Sequence, residues 1–498
     1  MNTKKQAFNP FLPLNVCIPD GEPHVFGDRV YLFGSHEEEG GKEFCNLGYE
    51  FYSAPLSDLS DWTSKGVNYE ARQDPSYGPN CRYMYAPDVV RGNDGRYYLY
   101  YAMSGGCFTS PIHVAVCDTP DGKYEYYGEV RNADGSTYTR KITFDPAVMN
   151  DGGVIRLYYG WSLAVNKEFA QDAKKYGFPT DLLSVQAMLF GKTKEEIEAE
   201  PDGIMGAFTV ELGDDMLTVK SQPRRVVPGP FDSAGTSFAG HAFFEASSIR
   251  KINGRYYFIY SSEHQHELCY AISDLPDRGF VYGGTLISNG DIGYHGRSER
   301  ERLAATGNNH GSLEKIGDSW YIFYHRHTHK TSFSRQACAE KVTIEKDGSI
   351  PQVEMTSCGL NGGPLRAEGT YPAVICCNLT NGNMPHTEVQ YELGEIPYIT
   401  DDGKERFVAD ICKGTQIVYK YFRFSGAVQL ALDVRGGAGR VEVFAGEKKC
   451  GEVAFAAATN WQHISLSLDV QGIRSLKFAW HCGTPCDFRS LSFEKQQN

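Results

Sequence analysis

The 498-residue sequence lacks several features that would place it in common classes of protein. No apolar run approaches the roughly 20 residues of a membrane-spanning helix. The two lysines near the N-terminus are not followed by the apolar segment that a secretory signal needs, so we expect a cytoplasmic protein. Basic residues are also few, since 49 Lys and Arg against 62 Asp and Glu give a formal net charge of -13. Nucleic acids and anionic membranes bind basic surfaces, and the sequence predicts neither as a partner.

Motifs for several kinds of chemistry are missing as well. The sequence has no Gly-x-Ser-x-Gly, no His-Glu-x-x-His, and no Gly-x-Gly-x-x-Gly in a strand–helix context. Gly191-Lys192-Thr193 lacks the upstream glycine of a phosphate-binding loop. The 14 cysteines show no metal-ligand spacing, and without a secretory signal we expect reduced thiols.

The sequence instead contains many aromatic residues, at 13%, and one pattern repeated five times. In each copy a polar residue opens a short apolar run, a glycine-containing turn follows, and an aromatic strand comes next. The copies lie at residues 19–35, 85–101, 144–160, 244–260 and 309–324. Such spacing is typical of propellers and solenoids, whose units must pack on one another to be stable. The pattern predicts an all-β fold with a five-bladed propeller over residues 1–360.

The polar residues that open these repeats are the candidate functional residues. In a propeller the first residues of the innermost strands surround the central axis, so these five side chains are expected to converge there: Asp20, Asp88, Asp145, Glu245 and His310. Clustered carboxylates raise one another's pKa, a cost that favours a functional role. Two carboxyls on opposite sides of a polar funnel suit glycoside hydrolysis, and a third can tune the acid.

These repeats resemble glycoside hydrolase family 43 over about the first 350 residues. The family's fold is a five-bladed propeller, and the resemblance implies hydrolysis of arabinosides or xylosides with inversion. It further implies that Asp20 is the general base, that Asp145 tunes and orients the acid, and that Glu245 is the general acid. Glu22 is a rival base, because Asp20 is followed by Gly-Glu-Pro rather than directly by Pro.

The resemblance also assigns residues around these three. It gives Asp88 contacts to the substrate and neighbouring residues, and Arg335 a contact to the substrate near the acid. His310 resembles an axial histidine beneath the sugar, beside a water molecule or a calcium ion. No cofactor is implied beyond that ion. Candidate stacking platforms for the sugar are Trp161, Phe33 and Tyr85.

Structural roles compete with each of these assignments. Asp88 can simply anchor its own loop, His310 can be a core histidine, and the three aromatics can fill blade cores. His325, His327 and His329 alternate along one strand, which suits a metal site or, more simply, the lining of a cleft.

Residues 365–498 show a sequence pattern different from that of the five repeats. Segments such as 428–434 and 463–470 alternate apolar and polar residues, which predicts a jelly-roll-like β-sandwich. This region resembles a family 6 carbohydrate-binding module, in which Trp461 or Trp480 with Asp487 would form the sugar platform. A degenerate module that only supports the propeller is the alternative.

From the sequence we therefore expect an exo-acting hydrolase that removes α-L-arabinofuranosyl residues from arabino- or arabinoxylo-oligosaccharides. A β-D-xylosidase is the second reading within the family, and a catalytically inactive glycan-binding propeller is an alternative from another class. An endo-arabinanase is also compatible with the spacing. The insertion at residues 163–202 and the loop at 72–80 favour a closed pocket over an open groove.

Overall fold

The computed structural model describes residues 5–104, 110–163, 177, 179, 181–386 and 394–495. It confirms the predicted fold class, a five-bladed β-propeller followed by a β-sandwich. Two short α-helices are present in the described ranges, α1 (Leu182–Phe190) and α2 (Lys194–Glu198). Among the described residues no helix is long and apolar enough to cross a membrane.

Each propeller blade is an antiparallel sheet whose strands follow one another along the chain. Blade one contains β1 (Glu22–Phe26), β2 (Arg29–Phe33), β3 (Tyr52–Pro55) and β4 (Thr63–Ser64). Blade two contains β5 (Tyr83–Arg91), β6 (Tyr97–Ser104), β7 (Ile112–Cys117) and β8 (Glu125–Glu129). Blade three contains β9 (Ala147–Asp151), β10 (Val154–Trp161), β11 (Gly206–Leu212) and β12 (Arg224–Val227). Blade four contains β13 (Phe243–Ile252), β14 (Arg255–Ser262), β15 (Glu267–Ser273) and β16 (Val281–Ser288), and blade five β17 (Leu313–Ile316), β18 (Ser319–Arg326) and β19 (Gln336–Val342).

The N-terminal segment closes the ring against blade five. The Asn9 side chain pairs with the backbone of Ala339 in β19, donating to its carbonyl and accepting from its N–H at 3.0 Å each. Phe11 packs edge-on against Phe323 of β18, with ring centroids 5.5 Å apart. These contacts satisfy backbone groups at the edge of the three-stranded blade, much as a fourth strand would.

Four of the five innermost strands have a residue in a left-handed backbone conformation just before the strand or within its first four residues. The φ angles are 57° at Asp20, 23° at Ala86, 44° at Asp145 and 69° at Ala246. Non-glycine residues adopt such angles at a cost, and they concentrate at functional sites. In blade five the corresponding place is taken by Gly311, where a Cβ would lie 1.9 Å from the Phe323 carbonyl oxygen. The repeat thus turns the chain sharply just where it reaches the axis.

The C-terminal region forms two six-stranded sheets that enclose one apolar core. The first contains β20 (Leu365–Arg366), β22 (Asn378–Thr380), β25 (Gln416–Ser425), β27 (Gly439–Ala445), β28 (Lys448–Phe455) and β30 (Gln471–Cys482). The second contains β21 (Gly369–Pro372), β23 (Tyr398–Asp401), β24 (Arg406–Ile411), β26 (Val428–Gly436), β29 (Ala458–Leu468) and β31 (Cys486–Lys495). β19 ends at Val342 and β20 begins at Leu365, and the division into residues 1–360 and 365–498 stays a prediction.

Buried and partly buried polar contacts join the sandwich to the propeller. The guanidinium of Arg326, at the end of β18, donates to the carbonyls of Val374 and Cys376 at 2.7 and 2.8 Å. Arg406 of β24 pairs with Glu39, in the loop that follows β2. A buried guanidinium that loses its partners is costly, so the two parts depend on each other for stability.

Candidate active site

Asp20 lies at the axis, held by an arginine from the neighbouring blade. Its two carboxylate oxygens accept from Nη1 and Nη2 of Arg335 at 2.9 and 3.3 Å, a two-pronged ion pair. Its backbone N–H donates to Nδ1 of His325 at 3.3 Å. Both side chains are almost fully buried. The guanidinium therefore balances the negative charge of Asp20 and fixes the plane of its carboxylate.

Arg335 is shared with a second carboxylate, Glu37. Its Nη2 donates to Glu37 Oε1 at 2.6 Å, and its backbone N–H donates to Oε2 at 3.1 Å. Burial raises the pKa of Glu37, and Arg335 opposes that rise. The same two carboxylates hold the pKa of Arg335 above its ordinary value against the effect of burial. Nη1 of Arg335 also lies 3.4 Å from Oδ1 of Asn308, and the contact of Arg335 to the substrate stays a prediction.

Glu245, in β13, has a carboxyl contacted by two neutral donors. Trp161 Nε1 donates to Oε2 at 3.2 Å, and Asn308 Nδ2 lies 3.5 Å from Oε1. Burial, followed by the charge of Asp20, raises the pKa of Glu245 to about 7, while the two donors oppose that rise. Near neutral pH the Glu245 carboxyl is therefore populated in both its protonated and its ionised form.

Asp145 lies beneath the peptide that carries Glu245. Its Oδ2 accepts from the backbone N–H of Ala246 at 2.9 Å, so it contacts the chain directly after the acid candidate. Burial raises the pKa of Asp145 well above its usual range, and the charges of Glu245 and Asp20 raise it further. The structure thus brings Asp20, Asp145 and Glu245 into one electrostatically coupled group, as the sequence predicts.

His310 lies beside this group, with Nδ1 3.7 Å from Asp145 Oδ2. Burial lowers the pKa of His310 to about 4, so the ring is neutral near physiological pH. Calcium prefers six to eight oxygen ligands. In the described part of the chain, no set of three His, Cys, Asp or Glu ligand atoms within 4.8 Å of one another includes His310. The calcium ion beside His310 stays a prediction.

Asp88 and Glu22 are committed to holding the blades together. The Asp88 carboxylate accepts from Val89 N–H and Val148 N–H at 2.7 and 2.6 Å and pairs with His24 Nε2 at 2.7 Å. Asp88 is 1% exposed, so its carboxylate makes the expected contacts to neighbouring residues, and its contact to the substrate stays a prediction. Glu22 pairs with Arg250 Nη1 at 2.7 Å in blade four, which leaves Asp20 as the better base candidate.

The three predicted stacking aromatics differ in their exposure. Phe33 is 0% exposed and packs edge-on against Phe51, with centroids 4.8 Å apart. Its assignment to the substrate is therefore wrong, because the ring belongs to the core between blades one and two. Trp161 and Tyr85 are half-buried, and Trp161 reaches Glu245. These two remain candidate sugar contacts. The predicted insertion at residues 163–202 lies partly outside the described residues.

The alternating histidines of β18 and the following loop position the site and do not form a common metal site. His325 and His327 both bond the Asn308 carbonyl through Nε2 at 2.9 Å. Because that carbonyl accepts from both rings, each Nε2 carries a hydrogen, and His325 Nδ1 is free to accept from Asp20 N–H. His329 points elsewhere, toward Asp401 at 3.2 Å.

Sequence reasoning missed Asn308 and Glu37. Asn308 links Arg335 to Glu245 and receives both histidines on its carbonyl. It stands two residues before His310, directly ahead of the fifth repeat, so extending the repeat by one residue would have found it. Glu37 lies in a loop whose sequence carries no comparable signal.

The predicted sugar platform of the sandwich is occupied by protein groups. Trp480 is 0% exposed in the core. The guanidinium carbons of Arg435 and Arg489 lie 4.3 and 4.9 Å from the centre of the Trp461 ring. Asp487 pairs with Arg435 at 2.9 Å. These contacts favour the supporting role over sugar binding at this place.

Comparison with known proteins agrees with this geometry. Residues 9–196 match the family described as Glycosyl hydrolases family 43. A xylosidase/arabinosidase from Thermoclostridium stercorarium is 40% identical over 506 residues, which span 98% of this chain and 99% of that protein. A xylosidase/arabinosidase from Bacteroides ovatus is 28% identical over 340 residues, 65% of this chain and 89% of that protein. A family 43 enzyme from Xanthomonas citri, solved with xylose, shares the fold with a TM-score of 0.50 at 24% identity, covering 71% of this chain and 94% of that one.

Proposed function

Because the chain belongs to glycosyl hydrolase family 43 and is a glycoside hydrolase, we propose that it releases single pentose units from plant-derived oligosaccharides by inversion. α-L-Arabinofuranosides are the first candidate substrates. The observation that carries the proposal is the pairing of Asp20, balanced by Arg335, with Glu245, whose pKa is raised to about 7. One carboxylate and one protonated carboxyl are the two groups that glycoside hydrolysis requires.

In this proposal Glu245 donates its proton to the glycosidic oxygen as the bond to the sugar breaks. Asp20 accepts a proton from the attacking water on the opposite face of the sugar ring. Arg335 keeps Asp20 oriented toward that water, while Trp161 and Asn308 hold the two oxygens of Glu245. Asp145 orients the acid through the Ala246 N–H, and its charge, when present, favours the protonated form of Glu245.

A β-D-xylosidase is the second candidate, favoured by the names of the relatives. Both similar proteins described above are named xylosidase/arabinosidase, and the first matches nearly the whole of this chain. The two sugars differ in ring size and in the hydroxyl groups they offer to the pocket, and neither difference alters the role of the carboxyls. Short imported oligosaccharides suit an exo enzyme, and a cytoplasmic location remains part of the proposal.

The experiment that tests the proposal compares aryl α-L-arabinofuranoside and aryl β-D-xyloside, with wild-type protein and Asp20→Asn side by side. We expect hydrolysis of at least one substrate by the wild type and loss of at least about 100-fold in the variant. Proton NMR of the first product should show the anomer opposite to that of the substrate. A product of retained configuration, or full activity in Asp20→Asn, would refute the assignment.

A further inference from the structure

A second cluster of ionisable side chains lies on loops beside blade four, apart from the three carboxyls of the candidate active site. His264 and His266 stand in the loop between β14 and β15, and Glu299 stands in the loop that follows β16. One ligand atom from each residue lies within 4.8 Å of the others. Glu299 Oε1 is 3.5 Å from His266 Nε2 and 3.9 Å from His264 Nδ1.

A hydrogen bond on the opposite side of the His264 ring shows which ring nitrogen carries the hydrogen. The other nitrogen, which faces Glu299, therefore carries none. His264 Nε2 is 2.9 Å from the carbonyl oxygen of Gly240. A carbonyl only accepts, so Nε2 carries the hydrogen. In the neutral ring, Nδ1 therefore presents its lone pair, and this is the atom that faces the carboxylate.

The same argument applies to His266. Its Nδ1 is 2.9 Å from Ser288 Oγ, whose own hydrogen is directed to the Asn289 carbonyl at 3.2 Å. Ser288 Oγ then accepts from Nδ1–H, and Nε2 is left with a lone pair. His266 is 3% exposed, and its Nε2 makes no hydrogen bond of acceptable geometry. Two lone pairs and a carboxylate oxygen thus face one point, an arrangement that a cation would stabilise.

The backbone between the two histidines is held in an uncommon turn. His266 N–H donates to the His264 carbonyl at 2.7 Å, and Gln265 between them has a φ of 64°. A three-residue turn with positive φ at its centre is rare and strained. It brings the two imidazoles nearly parallel, with ring centroids 5.9 Å apart. Such strain is retained where the surrounding structure requires it, which is consistent with a preformed ligand set.

We propose that His264 Nδ1, His266 Nε2 and the Glu299 carboxylate bind a zinc ion. Imidazole and carboxylate ligands suit Zn²⁺, whereas Ca²⁺ and Mg²⁺ prefer oxygen ligands alone. Ligand bonds of about 2.0–2.2 Å in a tetrahedral site separate neighbouring ligand atoms by roughly 3.4 Å. The two distances of 3.5 and 3.9 Å need only a small adjustment to reach that geometry. The exposed side of the cluster leaves the fourth position to water.

The other ring nitrogens already make the contacts that orient metal-bound histidines, to the Gly240 carbonyl and to Ser288 Oγ. The ion would tie the loop between β14 and β15 to the loop after β16. The His266 carbonyl also accepts from Asn309 Nδ2 at 3.3 Å, next to His310. Zinc therefore stabilises the blade four loops beside the funnel and takes no part in proton transfer.

The test uses the full chain without a polyhistidine tag, stripped with a chelator and titrated with Zn²⁺ against a chromophoric chelator. We expect one tight equivalent near pH 7.5 and a rise in the thermal unfolding temperature. Glu299→Gln and His264→Asn should each weaken zinc binding by at least about 10-fold. His295→Asn, the matched change at an exposed histidine of the Glu299 loop, should leave binding as in the wild type.

Three results would overturn the proposal. The first is the absence of tight zinc binding to the stripped wild type. The second is binding that survives Glu299→Gln but is lost in His241→Asn, which would place the ion on the neighbouring His241–Glu267 pair. The third is a thiolate charge-transfer band in the Co²⁺-loaded protein, which would place the ion on a cysteine.

Discussion

Glu245 is held in an environment that disfavours its charged form, so replacing it by a neutral side chain should change how stability depends on pH. The ordinary pKa of this carboxyl is 4.5, and burial with the nearby charge of Asp20 raises it to about 7 in the fold. Between these values the unfolded chain loses its proton first, and folding must then reverse that ionisation. The wild type therefore loses stability as pH rises from about 4.5 to 7, and the loss is complete above that range.

The size of this effect follows from the difference between the two pKa values. At about 1.36 kcal/mol per unit, the rise from 4.5 to about 7 corresponds to about 3 kcal/mol. Glu245→Gln removes the titration but also turns one amide N–H toward Trp161 or Asn308, at a cost of about 1 kcal/mol. That cost is the same at every pH. The variant should therefore be slightly less stable than wild type at pH 4.5 and more stable, by about 2 kcal/mol, at pH 8.

The assay is denaturant unfolding of both proteins at several values between pH 4.5 and 8, followed by tryptophan fluorescence. Glu345→Gln removes a carboxylate from an exposed turn after β19 and serves as the control for the change in net charge. The difference between Glu245→Gln and wild type should grow with pH, and the difference for the control should not. A difference of constant size across the range would refute the raised pKa of Glu245.

Three further predictions concern the site and the sandwich. Asn308→Ala removes a contact that favours the ionised form of Glu245, so the pKa of Glu245 should rise. The alkaline limb of the pH profile of kcat/KM, expected near pH 7, should then move to higher pH. A limb that stays in place would contradict this role of Asn308. Arg335→Lys cannot contact two carboxylates through several nitrogens at once, so kcat should fall by about 100-fold with little change in KM in steady-state assays. A chain truncated after Gly363 loses the carbonyls that bind Arg326 and should show a lower unfolding temperature or aggregate, whereas an unchanged melting curve would show that the propeller is independent.

The fold and the three central carboxyls could be predicted because both follow from the repeat. The last paired residues of β1 and β9 are Phe26 and Asp151. Asp20 lies six residues before Phe26, and Asp145 lies six residues before Asp151. Asp88 lies only three residues before Arg91, the last paired residue of β5, because the connection from β5 to β6 is longer than the corresponding turns of blades one and three. It therefore sits deeper in its strand and bonds to backbone groups, and only the motif around it suggested a place in the site.

The remaining contacts depend on tertiary packing that strand periodicity does not contain. Alternation places Tyr31 and Phe33 on one face of β2, but it does not show whether that face meets the funnel or the next blade. Glu37 follows β2 of blade one and Asn308 precedes β17 of blade five, and both contact Arg335, which precedes β19. The ring contacts on Trp461 likewise come from strands that are neighbours only in the folded sheet.

The most direct test of the central claim compares two aryl glycosides of the same sugar, one with a good leaving group and one with a poor one, in wild type and Glu245→Gln. If Glu245 donates the proton to the leaving oxygen, the variant should lose most of its activity on the poor leaving group and far less on the good one. Equal losses on both substrates would contradict the account and move the acid role to another carboxyl.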